Sequence, residues 1–472
     1  MTSRLEPTSE EIRQMLALTS DRIIEFLDNI EKPANFDSSS SSKRARLLTE
    51  KLPETEQPFE KILDDLFENR IPNALPTTHP GFMAYVPGGG IFHAAIADLI
   101  AKVSNRYVGI DAVAPLMNQI EVDVVKWLCE IIGYPLTSGG TLTSGGSLAN
   151  LTAVICARTI TMGDDFVQGC AYASEFVHHS QWKAFHAAGI ASSRIRSIPV
   201  DSNFRLDLKA LEKTIEQDIK KGLTPMMIVA TAGSTNTGSI DALETLSALA
   251  KQHDMWLHID AAYGGLFSMI KEGKDRLSGI DLADSITLDP HKGLFLPYGT
   301  GAFIVRDRKL LRSVFTHDAD YMPSTSTQQD TWNFSEMSLE LTRPFRGLAI
   351  WLPLKMLGAN VFRKALSEKL ELANYFYQSI FSSRQWQIIA KPELSITVFN
   401  YHSDTLSLTE QNSINQSIIE YVNAKGRANI SGTVIKGYSV IRCCILSFRT
   451  HKTHVDQLIE DLHEALTSCT KL

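Results

Sequence analysis

Apolar residues recur at helical intervals near the start of the chain, where Ile12, Met15, Leu16, Ile23, Ile24 and Leu27 fall at spacings that share a face. Thr8 and Glu11 stand at capping-box spacing before that run and predict a helix starting near Thr8. A second amphipathic stretch, Phe59, Ile62, Leu63, Leu66 and Phe67, predicts a helix that ends before Pro72. Between them, Glu31 to Lys51 carries five consecutive serines, Ser38 to Ser42, and reads as a polar connector. Two helices joined this way cannot bury both apolar faces by themselves. They are expected to pack on another domain or on a second subunit.

The pattern changes from about His79. Short apolar runs at Met226 to Ala230, Met255 to Asp260, Asp284 to Asp289 and Gly301 to Arg306 read as strands. Between the first two, Asp241 and Glu244 open a helix carrying Leu243, Leu246, Leu249 and Ala250. Strand, helix and strand at this spacing imply a parallel sheet covered by helices. Ligands collect beyond the carboxyl ends of such strands.

Toward the end, Leu394 to Tyr401 and Ser439 to Phe448 are strand-like, and Val455, Leu458, Ile459, Leu462 and Leu466 predict a closing amphipathic helix. The chain therefore divides into an N-terminal helical segment over 1–78, an α/β domain over 79–358 and a small α+β domain over 359–472. Its 472 residues suggest about three folding units.

Composition narrows the functional classes. A net charge of -7, with no long basic run, argues against nucleic-acid binding. No apolar run approaches membrane-spanning length, and the polar, acidic stretch from Met1 to Glu11 does not resemble a signal peptide. Six cysteines without CxxC or framework spacing fit reduced thiols in the cytoplasm.

Three features carry candidate chemistry. Gly139-Gly140 and Thr143-Ser144-Gly145-Gly146-Ser147 precede a helix whose free N–H groups favour an anion, although neither a Walker loop nor GxGxxG is present. Asp260 ends one predicted strand, and His291-Lys292 follows another. Taken singly, these are a glycine turn, a cap and a surface lysine. Together they describe a pyridoxal phosphate pocket: a phosphate cradle, an anion for the pyridine nitrogen and a lysine for the aldehyde. The 32-residue gap between Asp260 and Lys292 fits neighbouring strand ends.

In these residues the chain resembles the group II pyridoxal-phosphate amino acid decarboxylases, the family of the aromatic amino acid, glutamate and histidine enzymes. His258-Ile-Asp-Ala-Ala-Tyr and Asp289-Pro-His-Lys292 are the most specific stretches, and weaker similarity reaches Arg449. The resemblance implies an aspartate-aminotransferase-like (fold type I) large domain with a mostly parallel sheet, a small C-terminal α+β domain and an N-terminal arm. It further implies a homodimer with exchanged N-terminal helices and an active site at the interface. Lys292 would hold the cofactor aldehyde, Asp260 would face the pyridine nitrogen, and His178 would stack on the ring. Gly145, Gly146, Ser147 and His291 match the phosphate neighbourhood, Thr235 a threonine beside cofactor and substrate, and Ala262 the small residue under the ring. Tyr85 and Pro87 fall where the family lines its substrate pocket. Without the resemblance, His178-His179 reads as surface histidine, and His186 does not complete a metal site.

The implied reaction is decarboxylation of an L-amino acid, aromatic by first choice, to the amine. One departure bears on the product. Counting nine residues back from Arg343 in Arg343-Pro-Phe-Arg346 reaches Phe334, where many members carry a proton-donating tyrosine. In plant relatives that loss accompanies oxygen-dependent conversion to an aldehyde, so aldehyde synthesis is the alternative outcome, with Tyr321 in the same segment as another candidate donor. A cofactor-free scaffold and a lyase cutting Cα–Cβ are further alternatives. Gly109 stands where aromatic-specific relatives carry a bulky residue; it either enlarges the pocket or leaves space that another segment fills.

Overall fold

Thr8 and Glu11 close the predicted capping box: the Glu11 carboxylate accepts from the Thr8 N–H at 2.7 Å, and Thr8 Oγ1 accepts from the Glu11 N–H at 3.2 Å. The helix they start runs over Ser9–Asp28 and buries none of its residues. In the computed structural model of the protein, residues 5–36, 45, 49–316, 331–383 and 385–470 are described; the serine run 38–42 and Tyr321 lie outside them. The second helix covers Phe59–Asp64, and the chain stays helical beyond it. It continues as a tighter turn over Ile71–Asn73 with Pro72 inside, because a proline at the first positions of a turn gives up no hydrogen bond.

The large sheet contains β1 (Gly139–Thr143), β2 (Gly169–Ser174), β3 (Ile195–Ile198), β4 (Thr224–Thr231), β5 (Trp256–Asp260), β6 (Ser285–Leu288) and β7 (Gly301–Val305). Its order is β1-β7-β6-β5-β4-β2-β3. Pairings among β2 to β6 are parallel, whereas β7 runs antiparallel to both β6 and β1. The link from β6 to β7 stays at the carboxyl end of β6 and carries only the short turn Pro290–Gly293, so the chain returns antiparallel. Met226 to Ala230 is wholly buried, the signature of a strand covered on both faces. The strand β1, read from sequence as part of a glycine turn, is buried throughout.

The second sheet is antiparallel, in the order β10-β11-β9-β8, from β8 (Trp386–Ala390), β9 (Ile396–Tyr401), β10 (Ser431–Ile435) and β11 (Tyr438–Cys444). Alternation along β11 feeds two cores. Val440 and Cys444 face the large hydrophobic core, while Ile441 and Cys443 join the C-terminal one with the helices Leu408–Ala424 and Lys452–Cys469. All six cysteines are unpaired, and no described helix is long and apolar enough to cross a membrane.

Candidate active site

Thr231 and Asp260 end β4 and β5 in register with each other, and Asp289 follows β6. Beyond these ends lies a cavity of about 270 Å³, just below the usual range for small-molecule sites. Nine of the residues singled out from sequence line it: Gly145, Gly146, Ser147, His178, Thr235, Asp260, Ala262, His291 and Lys292.

The helix Gly146–Met162 presents its start to this cavity with no side-chain cap on its first N–H groups. An anion satisfies such groups and the helix dipole together. At Gly146 a Cβ would sit 3.0 Å from Asp289 Oδ2 and 3.4 Å from Ala262, so the absent side chain keeps this end of the cavity open. His291 Nδ1 lies 2.7 Å from the Thr300 carbonyl, to which it donates, and this fixes the ring.

Lys292 Nζ pairs with Asp289 Oδ2 at 2.9 Å, within the short Pro290–Gly293 turn. The buried Asp289 Oδ1 and Thr231 Oγ1, both on residues lining the cavity, have no partner. Buried polar atoms left this way usually await a ligand or water. Asp260 is only 6 % exposed; its Oδ1 accepts from the Ala262 N–H at 3.2 Å and its Oδ2 from Asn150 Nδ2 at 2.9 Å. His178 caps the helix His179–Ala187, accepting from the Ser180 N–H. Burial pushes its imidazole below the ordinary histidine range, against the opposing pull of Asp260.

A helix start for a phosphate, a carboxylate and a primary amine around one small cavity, with unpartnered polar atoms in its wall, fit pyridoxal phosphate. Among the described residues, no group of three or more His, Cys, Asp or Glu side chains is arranged to hold a metal ion.

Tyr85, Pro87 and Phe334, selected as substrate-lining, are not among the residues around this cavity. Tyr85 is 62 % exposed and lines a separate hollow with Ser431 and Asn429 beside the small sheet. Pro87 is buried. Phe334 is fully buried, with the Arg343 guanidinium 4.9 Å from its ring centroid and Trp332 packed edge-on. Arg343 is itself anchored in the interior by an ion pair with Glu121. At Gly109, a Cβ would meet the Tyr107 hydroxyl at 2.4 Å, so Tyr107 fills the space that the glycine leaves.

Asn150, Ser180, Thr231 and Asp289, to which the sequence assigned no role, also line the cavity. A signal for Asn150 existed: it is an amide one helical turn after Gly146, set between Ala149 and Leu151.

Comparison with known proteins agrees with this geometry. Residues 41–402 match the family described as the pyridoxal-dependent decarboxylase conserved domain. The chain is 32 % identical to an aromatic-L-amino-acid decarboxylase of Bacillus atrophaeus, over 97 % of this chain and 96 % of that one. It is 27 % identical to a phenylacetaldehyde synthase of Petunia hybrida, over 96 % and 94 %. In fold it matches the crystal structure of Oryza sativa TDC with PLP and tryptamine, with a TM-score of 0.92 at 23 % identity, covering 98 % of this chain and 99 % of that one. With an amine, a carboxylate and an anion-binding helix start converging on one cavity, the chain belongs to the pyridoxal-dependent decarboxylases and is a carboxy-lyase acting on an amino acid with pyridoxal phosphate.

Proposed function

We propose that the substrate is an aromatic L-amino acid, released as its amine and carbon dioxide, and that Lys292, Asp260 and His178 carry the chemistry. The observation behind the assignment of residues is the convergence of Lys292 and Asp260 on one cavity with the uncapped start of the helix Gly146–Met162. Similarity to the Bacillus aromatic-L-amino-acid decarboxylase supports the substrate class.

When bound, pyridoxal phosphate supplies an electron sink for the pair left behind as the Cα–carboxylate bond breaks. Lys292 would supply the primary amine that holds the cofactor, and Asp289 Oδ2, 2.9 Å away, positions that amine. Asp260 would keep the cofactor's ring nitrogen protonated, Gly145, Gly146, Ser147 and His291 would hold its phosphate, and Ala262 and Thr235 complete the cavity wall. His178, kept neutral by burial, offers an imidazole to the reacting carbon and its carboxylate. Similarity to the Bacillus decarboxylase, at 32 % identity against 27 % for the Petunia aldehyde synthase, supports the amine as product.

A homodimer is part of the same reading. The helix Phe92–Ser104 leaves Phe92, Ile96, Leu99, Ile100 and Val103 exposed, and the Ser9–Asp28 helix buries nothing. Apolar faces of this kind mark association surfaces. Unpaired thiols support a reducing, cytoplasmic setting. The test is to incubate cofactor-loaded protein in air with each L-amino acid while measuring amine and hydrogen peroxide. Amine from an aromatic substrate without peroxide is expected. Activity confined to acidic or basic amino acids overturns the substrate class, and peroxide matching substrate loss overturns the product.

A further inference from the structure

We infer that Asn150 is a positioning residue whose amide joins a one-way hydrogen-bond chain to Asp260 and His178, holding Asp260 as the terminal acceptor and His178 with its proton on Nε2. The inference rests on the proposed roles of those two residues and concerns how the protein sets their chemistry.

Asn150 is 1 % exposed, and its amide meets four partners. Its Nδ2 donates to Asp260 Oδ2 at 2.9 Å and to Ser180 Oγ at 3.0 Å. Its Oδ1 accepts from Thr287 Oγ1 at 2.8 Å and faces His258 Nε2 at 3.1 Å. The carboxylate dictates this orientation, because the flipped amide would set its oxygen against Asp260 Oδ2. The Asn150 oxygen, at 3.1 Å closer to Nε2 than the Thr287 hydroxyl at 3.3 Å, places the proton of His258 on Nε2, and Nδ1 becomes an acceptor for the Ser285 hydroxyl, 2.9 Å away. Trp256 Nε1 donates to that same hydroxyl oxygen at 2.8 Å, leaving its hydrogen free for His258.

The second arm follows the same rule. Ser180 Oγ accepts from Asn150, and because the Ser180 N–H makes Nδ1 an acceptor, the hydroxyl directs its own hydrogen to His178 Nδ1, 2.8 Å away. The Ser180 N–H reaches Nδ1 as well, at 3.3 Å. With both donors on Nδ1, the proton of a neutral His178 sits on Nε2. Asn150 thereby serves the anion and the imidazole from one side chain.

Apo-protein labelled with 15N-histidine tests this without catalysis, so the result does not depend on the substrate. Signals are assigned through the His178→Gln and His258→Gln variants. Asp260 is the charged group facing His258; Asp260, Lys292, Asp289 and His179 face His178. Both imidazoles are expected to be neutral at pH 7 with the proton on Nε2. Ser180→Ala should move the His178 signals alone. Asn150→Asp keeps the amide's accepting contacts and removes its donors. It should shift both imidazoles and raise the His258 titration by about one pH unit, because a nearby carboxylate favours the charged ring. The same variant should bind pyridoxal phosphate about tenfold more weakly. A proton on His258 Nδ1 in the wild-type protein, or unchanged imidazole signals in Asn150→Asp, overturns the inference. If Asn150→Asp does not fold, Ser180→Ala decides the second arm: unmoved His178 signals overturn it.

Discussion

Lys292 and Asp289 form an ion pair of 2.9 Å across three residues of a single helical turn, and the other carboxylate oxygen of Asp289 is buried without a partner. The pairing fixes the amine at the end of β6, beside the carboxylate that ends β5. Asp289→Ala removes that anchor and opens space behind the lysine. The expected outcome is a loss of pyridoxal phosphate affinity of about tenfold or more, with the fold retained, read by absorbance titration. Unchanged affinity contradicts the anchoring role.

Asp260 ends the neighbouring strand β5 with two hydrogen-bond donors on it and, among the described residues, no ion pair to a cation. Asp260→Asn keeps the shape and removes the charge that favours a protonated ring nitrogen. A fall in kcat/KM of roughly 10²–10³ is expected, about 3–4 kcal/mol of transition-state stabilisation. Asp260→Glu should recover part of it. An Asn variant as active as the wild type would remove Asp260 from the mechanism.

Burial lowers the His258 imidazole to about 4, from 6.5 in an open chain. Between these values the unfolded chain binds the extra proton and the folded one does not, so stability rises with pH across that window. Acidification from pH 6.5 to 4 should therefore cost on the order of 3 kcal/mol through this residue. His178 contributes in the same direction. Urea unfolding at several pH values checks this: His258→Gln should flatten the slope, and parallel curves for the two proteins would refute it.

Phe334 packs under Arg343 in the interior, where a tyrosine hydroxyl would have to be buried. Phe334→Tyr is expected to cost about 1–3 kcal/mol of stability and to leave the ratio of amine to peroxide unchanged. A change of product in this variant would return Phe334 to the active site.

Asp260 and Lys292 were legible in the sequence because strand ends and the turns after them are local features. The same holds for the Thr8 cap and the apolar run of β4. Other features depended on distant contacts. Gly139 and Gly140 read as a turn, yet they form β1 because β7 pairs along them. The antiparallel return of β7 is set by the Lys292 turn, which carries no periodicity. Asn150 looks like a stray polar residue until Asp260, His258 and Ser180 close around it. Phe334 was placed by counting along the chain, and only packing against Arg343 shows that it is interior.

The most direct test of the account is to reduce the pyridoxal-phosphate-loaded protein with borohydride, digest it and locate the modified peptide by mass spectrometry. The account predicts one modified side chain, Lys292, and no modification in Lys292→Ala together with loss of decarboxylation. Cofactor fixed to another lysine, or a Lys292→Ala variant that still releases carbon dioxide at the wild-type rate, would contradict it.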